Sequence, residues 1–299
     1  MKIKPRTQKV LLIFGVSGFI GTNFGQYLKE NMLEADLKVI GVVSRERDVL
    51  FVGIHHLEVV DVLDTSAVRL LLHKFKPNYI VNFIGLFGKA SYQELIQTNV
   101  EISHNILQAI VDISALKTRL LFIGSAAEYG AVKVSPVSEQ YESKPVSMYG
   151  LSKVFQTELV RFYHHTHEVQ AIIARTFNLT GVGISPSLSV GSFQNQIETA
   201  EDGGIIKVGS LDSVRDFLDV ETAVAMYMSL LLYGKAGEVY NVCSGKPTRI
   251  GDLLDNMIVR SGKRLALEVS PSKVYGNDVQ QIYGDRGKLD ELLSRASED

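Results

Sequence analysis

Tyr149 and Lys153 stand four residues apart at the start of a predicted helix, a spacing that puts both side chains on one face. An ammonium beside a phenol favours the phenolate and draws its pKa down from about 10 toward working pH. A phenol tuned in this way can give a proton to a ketone or take one from an alcohol. A second constellation is Gly15-Val16-Ser17-Gly18-Phe19-Ile20-Gly21, directly after an apolar run and at the opening of a helix. Glycines there let the chain turn tightly, so that backbone N–H groups and the helix N-terminus can meet a pyrophosphate. The candidate cofactor-binding residues of this turn are Gly15, Ser17, Gly18, Phe19, Ile20 and Gly21, in G-x-x-G-x-x-G spacing. Glycines at a strand–helix turn also serve packing alone, and the flanking strand and helix favour the dinucleotide reading. Ser125, just after the fifth predicted strand, joins the glycine turn in making the Tyr/Lys pair specific.

The ribose selector of a dinucleotide site lies near the tip of the second strand. The sequence there is Val42-Val43-Ser44-Arg45-Glu46-Arg47, without an acid at the tip. An acid would bind the 2′-hydroxyl of NAD and repel a 2′-phosphate, whereas Ser44 and Arg45 suit the phosphate. The predicted cofactor is therefore NADP(H); the alternative is that Arg45 and Arg47 are solvated loop charges.

Elements that can position these groups follow from periodicity. Val10–Phe14, Lys38–Val43, Leu57–Val60, Tyr79–Ile84, Arg119–Ile123 and Gln170–Arg175 read as buried parallel strands. Phe19–Met32, Ser66–Phe75, Tyr92–Ile113 and Tyr149–His167 read as the helices between them. The alternation predicts an α/β fold, a doubly wound parallel sheet of Rossmann type with right-handed crossovers. After Asn178 the chain turns rich in Gly, Ser and Pro, and Phe193–Ala200 reads as a short helix. Asp216–Val220, a helix over Ala223–Leu232 and a strand over Val239–Val242 restore the α/β order, and Ile250–Arg260 is a further helix. The expected division is a dinucleotide-binding domain over 1–177 to which 214–244 returns, with 178–213 and 245–299 forming a smaller, discontinuous substrate-binding lobe.

Composition narrows the partners. The 299 residues carry 31 basic and 33 acidic side chains, a net charge of −2, so no nucleic-acid footprint or polybasic membrane patch is expected. The apolar stretch nearest to a membrane span, Ala223–Tyr233, falls well short of the roughly 20 residues required. Lys2, Lys4, Arg6 and Lys9 precede an apolar run in the manner of a signal peptide, but Gly15, Ser17 and Gly18 interrupt it and no small-residue cleavage site follows. Cys243 is the single cysteine, which excludes an internal disulfide and suits a reducing cytoplasm; it reads as a small packed hydrophobe. No metal site is expected. His164, His165 and His167 do not converge on one point from a helix, and His55-His56 reads as a loop before a strand.

Together these motifs resemble the short-chain dehydrogenase/reductase superfamily in its extended, nucleotide-sugar branch. The marks are Gly15–Gly21, Asp61-Val62 after the third strand, Phe122-Ile123-Gly124-Ser125-Ala126-Ala127-Glu128-Tyr129-Gly130, and Tyr149 with Lys153. Ala174–Gly181, Phe193–Gln196, Val208–Val220 and Gly237–Gly245 look like the GDP-4-keto-6-deoxy-D-mannose reductases of that branch. The resemblance implies a catalytic triad of Ser125, Tyr149 and Lys153. Ser125 would hydrogen-bond the substrate carbonyl, Tyr149 would protonate it as hydride arrives, and Lys153 would hold the nicotinamide ribose. Asp61 and Val62 would meet the adenine, and Asn178 and Arg215 the diphosphate of a nucleotide-sugar substrate. A guanidinium fork suits phosphate oxygens, although an ion pair of Arg215 with Asp216 or Asp219 is the competing structural role.

Departures from the family pattern sharpen the reaction class. Dehydratases of this branch carry acids just after the catalytic Ser/Thr, and here Ala126 and Ala127 cannot move protons. Glu128 is acidic one place further on, where the family usually has an apolar residue. The family's C-terminal Arg-Pro is replaced near Tyr275-Gly276, and the chain contains no tryptophan. The expected function is NADPH-dependent reduction of a nucleotide-linked 4-keto-6-deoxy sugar. The alternatives are a C4 epimerase using the same Ser/Tyr/Lys site with tightly bound NAD, and a non-catalytic NADP-sensing regulator. Apolar residues on more than one face of Tyr92–Ile113 and Tyr149–His167, with the resemblance, predict a homodimer.

Overall fold

The computed structural model describes residues 8–33, 36–48, 50–88, 90–269 and 279–296. Residues Lys2, Lys4 and Arg6 and the Tyr275-Gly276 departure lie outside the described residues. β1 (Lys9–Phe14) leads into α1 (Phe19–Glu30), followed by β2 (Leu37–Val43), β3 (His56–Val59), α2 (Thr65–Phe75) and β4 (Tyr79–Asn82). Next come α3 (Tyr92–Ile96), α4 (Ile102–Asp112), β5 (Arg119–Ser125), α5 (Met148–His167) and β6 (Gln170–Thr176). These strands join β10 (Val239–Val242) in a seven-stranded sheet of order β10-β6-β5-β4-β1-β2-β3, parallel throughout. The order reverses between β1 and β4, which opens a crevice at the carboxyl edge of the sheet.

The near-continuous apolar strands arise because both faces of the sheet are covered. Leu11 and Ile13 of β1 enter one core, with Phe24 and Leu28 of α1 and Leu230 and Leu231 of α7 (Val220–Tyr233). Leu12 and Phe14 enter the opposite core, with Val68 and Leu72 of α2, Ile106 of α4 and Val160 of α5. Alternation of side chains along one strand thus feeds two hydrophobic layers. The helices are closed locally: the Asp64 carboxylate caps α2 by accepting from Ser66 N–H at 2.8 Å, and Ser147 caps α5 by accepting from Gly150 N–H at 3.0 Å.

The remaining elements are β7 (Asn178–Thr180), α6 (Ser189–Thr199), β8 (Ile205–Val208), β9 (Val214–Asp219), β11 (Pro247–Arg249), α8 (Ile250–Ser261), β12 (Ala266–Val269), β13 (Gln281–Ile282) and α9 (Gly287–Ala296). β11, β9 and β13 run side by side with β7 on β9, and β12 pairs β8 next to α6 and α8. Two placements differ from the expected division. β9 falls in the segment expected to return to the large sheet, yet it pairs with β7, β11 and β13. Only α7 and β10 return. Conversely α9, expected in the lobe, sends Leu289, Leu292 and Leu293 into the core beside α7. An amphipathic helix late in the chain simply covers the apolar surface left beside β10.

The helix expected over Tyr92–Ile113 runs without a break from Tyr92 to Asp112, but its hydrogen-bond ladder changes once on the way. A wide π-type turn over Gln97–Glu101 separates α3 from α4. It turns Asn99 fully inward, where its side chain accepts from Leu86 N–H at 2.8 Å and donates to Leu86 O at 3.0 Å. Widened turns of this kind are frequent at functional sites.

Candidate active site

Parallel register aligns the carboxyl ends of β1 to β6 along one edge, and most of the candidate residues gather there. Gly15 closes the first turn with φ +79°, and its carbonyl accepts from Gly18 N–H at 3.1 Å. A Cβ on Gly21 would lie 2.3 Å from that carbonyl, so only glycine lets α1 approach β1 this closely. Gly18 opens α1 without a side-chain cap, and no acid occupies the first turn. The helix end therefore keeps its N–H groups and positive dipole for an anion, which fits a dinucleotide pyrophosphate.

Ser44 and Arg45 are exposed just past the end of β2. Asp61 is exposed after β3, its carboxylate accepting from Leu63 N–H at 3.0 Å, while Val62 is half-buried. Asn105 on α4 fixes this loop by donating to Val62 O and Leu63 O, both at 3.0 Å. On the substrate side, Asn178 donates to Asp216 O at 2.9 Å, and Arg215 donates to Val214 O at 3.0 Å. The Asp216 carboxylate is taken up by Ser244 N–H and Oγ, Gly245 N–H and Gly284 N–H. That of Asp219 accepts from Glu221 N–H and caps α7. Both acids thus have structural work in tying β9 to its surroundings.

Ser125 ends β5 and starts a single 3-10 turn over Ala126–Glu128. Tyr149, whose phenol the Ser125 side chain influences, sits in the first turn of α5, and Lys153 follows one turn later. Lys153 is buried and donates to Ile123 O at 2.9 Å and Gln156 Oε1 at 3.0 Å. The phenol departs from the sequence expectation. Burial pushes the Tyr149 phenol up, the Ser125 side chain opposes this, and the Glu128 charge adds to the rise. Burial also pulls Lys153 down to about 8 against the attraction of Glu128, so its charge is weakly held. The rise at Tyr149 favours the protonated phenol, the form required of a proton donor.

Two side chains of the site do not stand out as functional in the sequence. Glu128 is fully buried and reaches three elements at once. Its Oε1 accepts from Ser125 N–H at 2.8 Å, and its Oε2 accepts from Thr157 Oγ1 at 2.8 Å and Arg175 Nη2 at 2.7 Å. The Arg175 guanidinium lies 4.5 Å from the Tyr129 ring centroid. The acid at 128 was visible as a departure, but its partner is 47 residues away. Gln156 gave no signal, because a polar residue on a helix reads as solvated until its neighbours are known. His164 belongs to the packing, with Nδ1 3.0 Å from Val169 O, and Cys243 is buried. Among the described residues no helix is long and apolar enough to cross a membrane.

The sequence profile of the NAD dependent epimerase/dehydratase family matches residues 11–243. GDP-6-deoxy-D-mannose reductase of Pseudomonas aeruginosa is 30% identical over 290 residues, covering 93% of this chain and 89% of that protein. GDP-6-deoxy-D-talose 4-dehydrogenase of Aggregatibacter actinomycetemcomitans is 26% identical, covering 95% and 90%. Among solved structures, RMD from Pseudomonas aeruginosa complexed with NADPH superposes with a TM-score of 0.78 at 24% identity, covering 95% of this chain and 92% of that one.

Proposed function

The chain belongs to the NAD dependent epimerase/dehydratase family, and from that premise we propose that it reduces the 4-keto group of a nucleotide-linked 4-keto-6-deoxy sugar with NADPH. The observation that carries this reading is Tyr149 and Lys153 one turn apart at the start of α5, with Ser125 at the end of β5 acting on the phenol and the non-ionisable Ala126 and Ala127 next in the chain. A site with a proton donor but no acid–base pair beside it suits carbonyl reduction and lacks the means to eliminate water. Two relatives support the substrate class, one named a GDP-6-deoxy-D-mannose reductase and the other a GDP-6-deoxy-D-talose 4-dehydrogenase.

The glycine turn and the uncapped end of α1 would hold the pyrophosphate, Asp61 and Val62 the adenine, and Ser44 and Arg45 the 2′-phosphate. When bound, NADPH supplies the hydride. Ser125 donates a hydrogen bond to the substrate carbonyl, and Tyr149 delivers its proton to the same oxygen. Lys153 favours the phenolate left behind and would hold the nicotinamide ribose. Asn178 and Arg215 would bind the diphosphate of the sugar nucleotide. NADPH mixed with freshly made GDP- and dTDP-4-keto-6-deoxy sugars tests the reading. Loss of NADPH absorbance with one of them is expected, and none with the parent hexose nucleotides.

Cofactor choice follows from the tip of β2. NADPH is expected to bind more tightly than NADH, and Arg45→Ala to narrow the gap by roughly 1–2 kcal/mol, the worth of a charge-assisted contact. Titration of both cofactors checks this, and equal affinities in the unmutated chain contradict it. Phe155 and Phe162 of α5 are exposed, 40% and 55%, and this face would close a homodimer. Light scattering at micromolar concentration is expected to give twice the 33.0 kDa chain mass, and a monomer refutes the pairing.

A further inference from the structure

Lys153 is held by a side chain whose own orientation is dictated from behind. Gln156 is 1% exposed and lies between Lys153 on α5 and Ser103 on α4. The Ser103 hydroxyl has one proton, and it goes to Asn99 O at 3.0 Å. Its oxygen is therefore left to accept, and Gln156 Nε2 donates to it at 2.8 Å. With the amide nitrogen committed, the oxygen must face Lys153 Nζ, at 3.0 Å. The amide cannot flip without opposing donor to donor at Lys153.

We propose that Gln156 is a positioning residue for Lys153: a buried, neutral acceptor, locked by Ser103, that fixes Nζ toward the loop after β4. Ile123 O takes a second N–H bond of the ammonium. Gly85 of the loop leaves room for the third, since even a Cβ there would stand 3.5 Å from Nζ. The proposal rests on the reading of Lys153 as the group that serves Tyr149 and the nicotinamide ribose.

Neutrality at residue 156 has a consequence for titration. The ionisable group whose charge acts on Lys153 is Glu128 on the turn after β5, paired with Arg175 of β6, while Tyr149 stands one turn earlier on the same helix. The other groups around Lys153 and Gln156 are uncharged: Gly85 of the loop after β4 beside Nζ, Asn99 of the π-type turn beside Gly85, and Ser103 of α4 behind Gln156. An acid at 156 would hold the ammonium charged through the whole working range. The amide holds its place and leaves its protonation open, which burial sets at about 8.

The test titrates Lys153 directly in the full chain without substrate or cofactor. The probe is the 13Cε resonance of labelled lysine, assigned by its disappearance in Lys153→Met. Gln156→Glu is expected to raise the midpoint by more than about one pH unit, as an opposite charge at hydrogen-bond distance does. Gln156→Met, which strands one N–H bond, is expected to lower it. In turnover with NADPH and a 4-keto sugar, the alkaline limb of kcat/KM is expected to move in the same two directions. Midpoints within about 0.3 unit of the unmutated chain in both variants, or moved in the same direction in both, overturn the proposal. Should Gln156→Met not fold, Gln156→Glu alone decides by the same criterion. A chain inert toward every 4-keto sugar would refute the proposed reaction and leave the lysine titration decisive for Gln156.

Discussion

Tyr149→Phe is expected to cost about 10²–10⁴ in turnover while NADPH binds as tightly as before, because a positioned general acid is worth that much. The variant removes one oxygen and keeps the ring, so the first turn of α5 and its Ser147 cap are undisturbed. The Ser125 hydroxyl, which accepts from Ala127 N–H at 3.2 Å, is then left to hold the carbonyl alone. Steady-state kinetics should show the loss in kcat with KM for the cofactor unchanged. Full activity in Tyr149→Phe would mean that the proton comes from elsewhere.

Glu128→Ala carries the largest expected effect on stability. It strips the acceptor from Ser125 N–H, Thr157 Oγ1 and Arg175, and strands a guanidinium that is 2% exposed. Breaking a buried pair from one side costs about 3–5 kcal/mol, because the remaining charge is uncompensated. Replacing both partners by apolar residues, as in Glu128→Leu/Arg175→Met, is expected to recover part of that loss. Urea unfolding measures both. A loss below about 1 kcal/mol in Glu128→Ala would show that water reaches Arg175 and that the pair is not the brace between β5, α5 and β6.

What could be read from the sequence was local or doubly buried. β1, β4 and β5 stand out because both of their faces are covered, which leaves almost no polar residue in the run. Tyr149 and Lys153 stand out because helical spacing alone places them on one face. The π-type turn did not, since Asn99 on an otherwise periodic helix looks like a solvated residue. Its inward turn depends on Leu86, a loop residue 13 positions earlier. β7, β11 and β13 are two or three residues long, and only pairing with β9 makes them strands. The expected lowering of the Tyr149 phenol failed for a related reason. Spacing places Lys153 one turn from the phenol, but the desolvation that raises the phenol depends on everything packed around it.

The central claim is hydride delivery to C4 of a preformed keto sugar, and isotope tracing reads it most directly. Turnover of GDP- or dTDP-4-keto-6-deoxy sugars with C4-deuterated NADPH is expected to place deuterium at C4 of the product, with one NADP⁺ formed for each sugar reduced. Inversion at C4 of a sugar nucleotide with the label still on the cofactor would contradict the account and make the chain an epimerase.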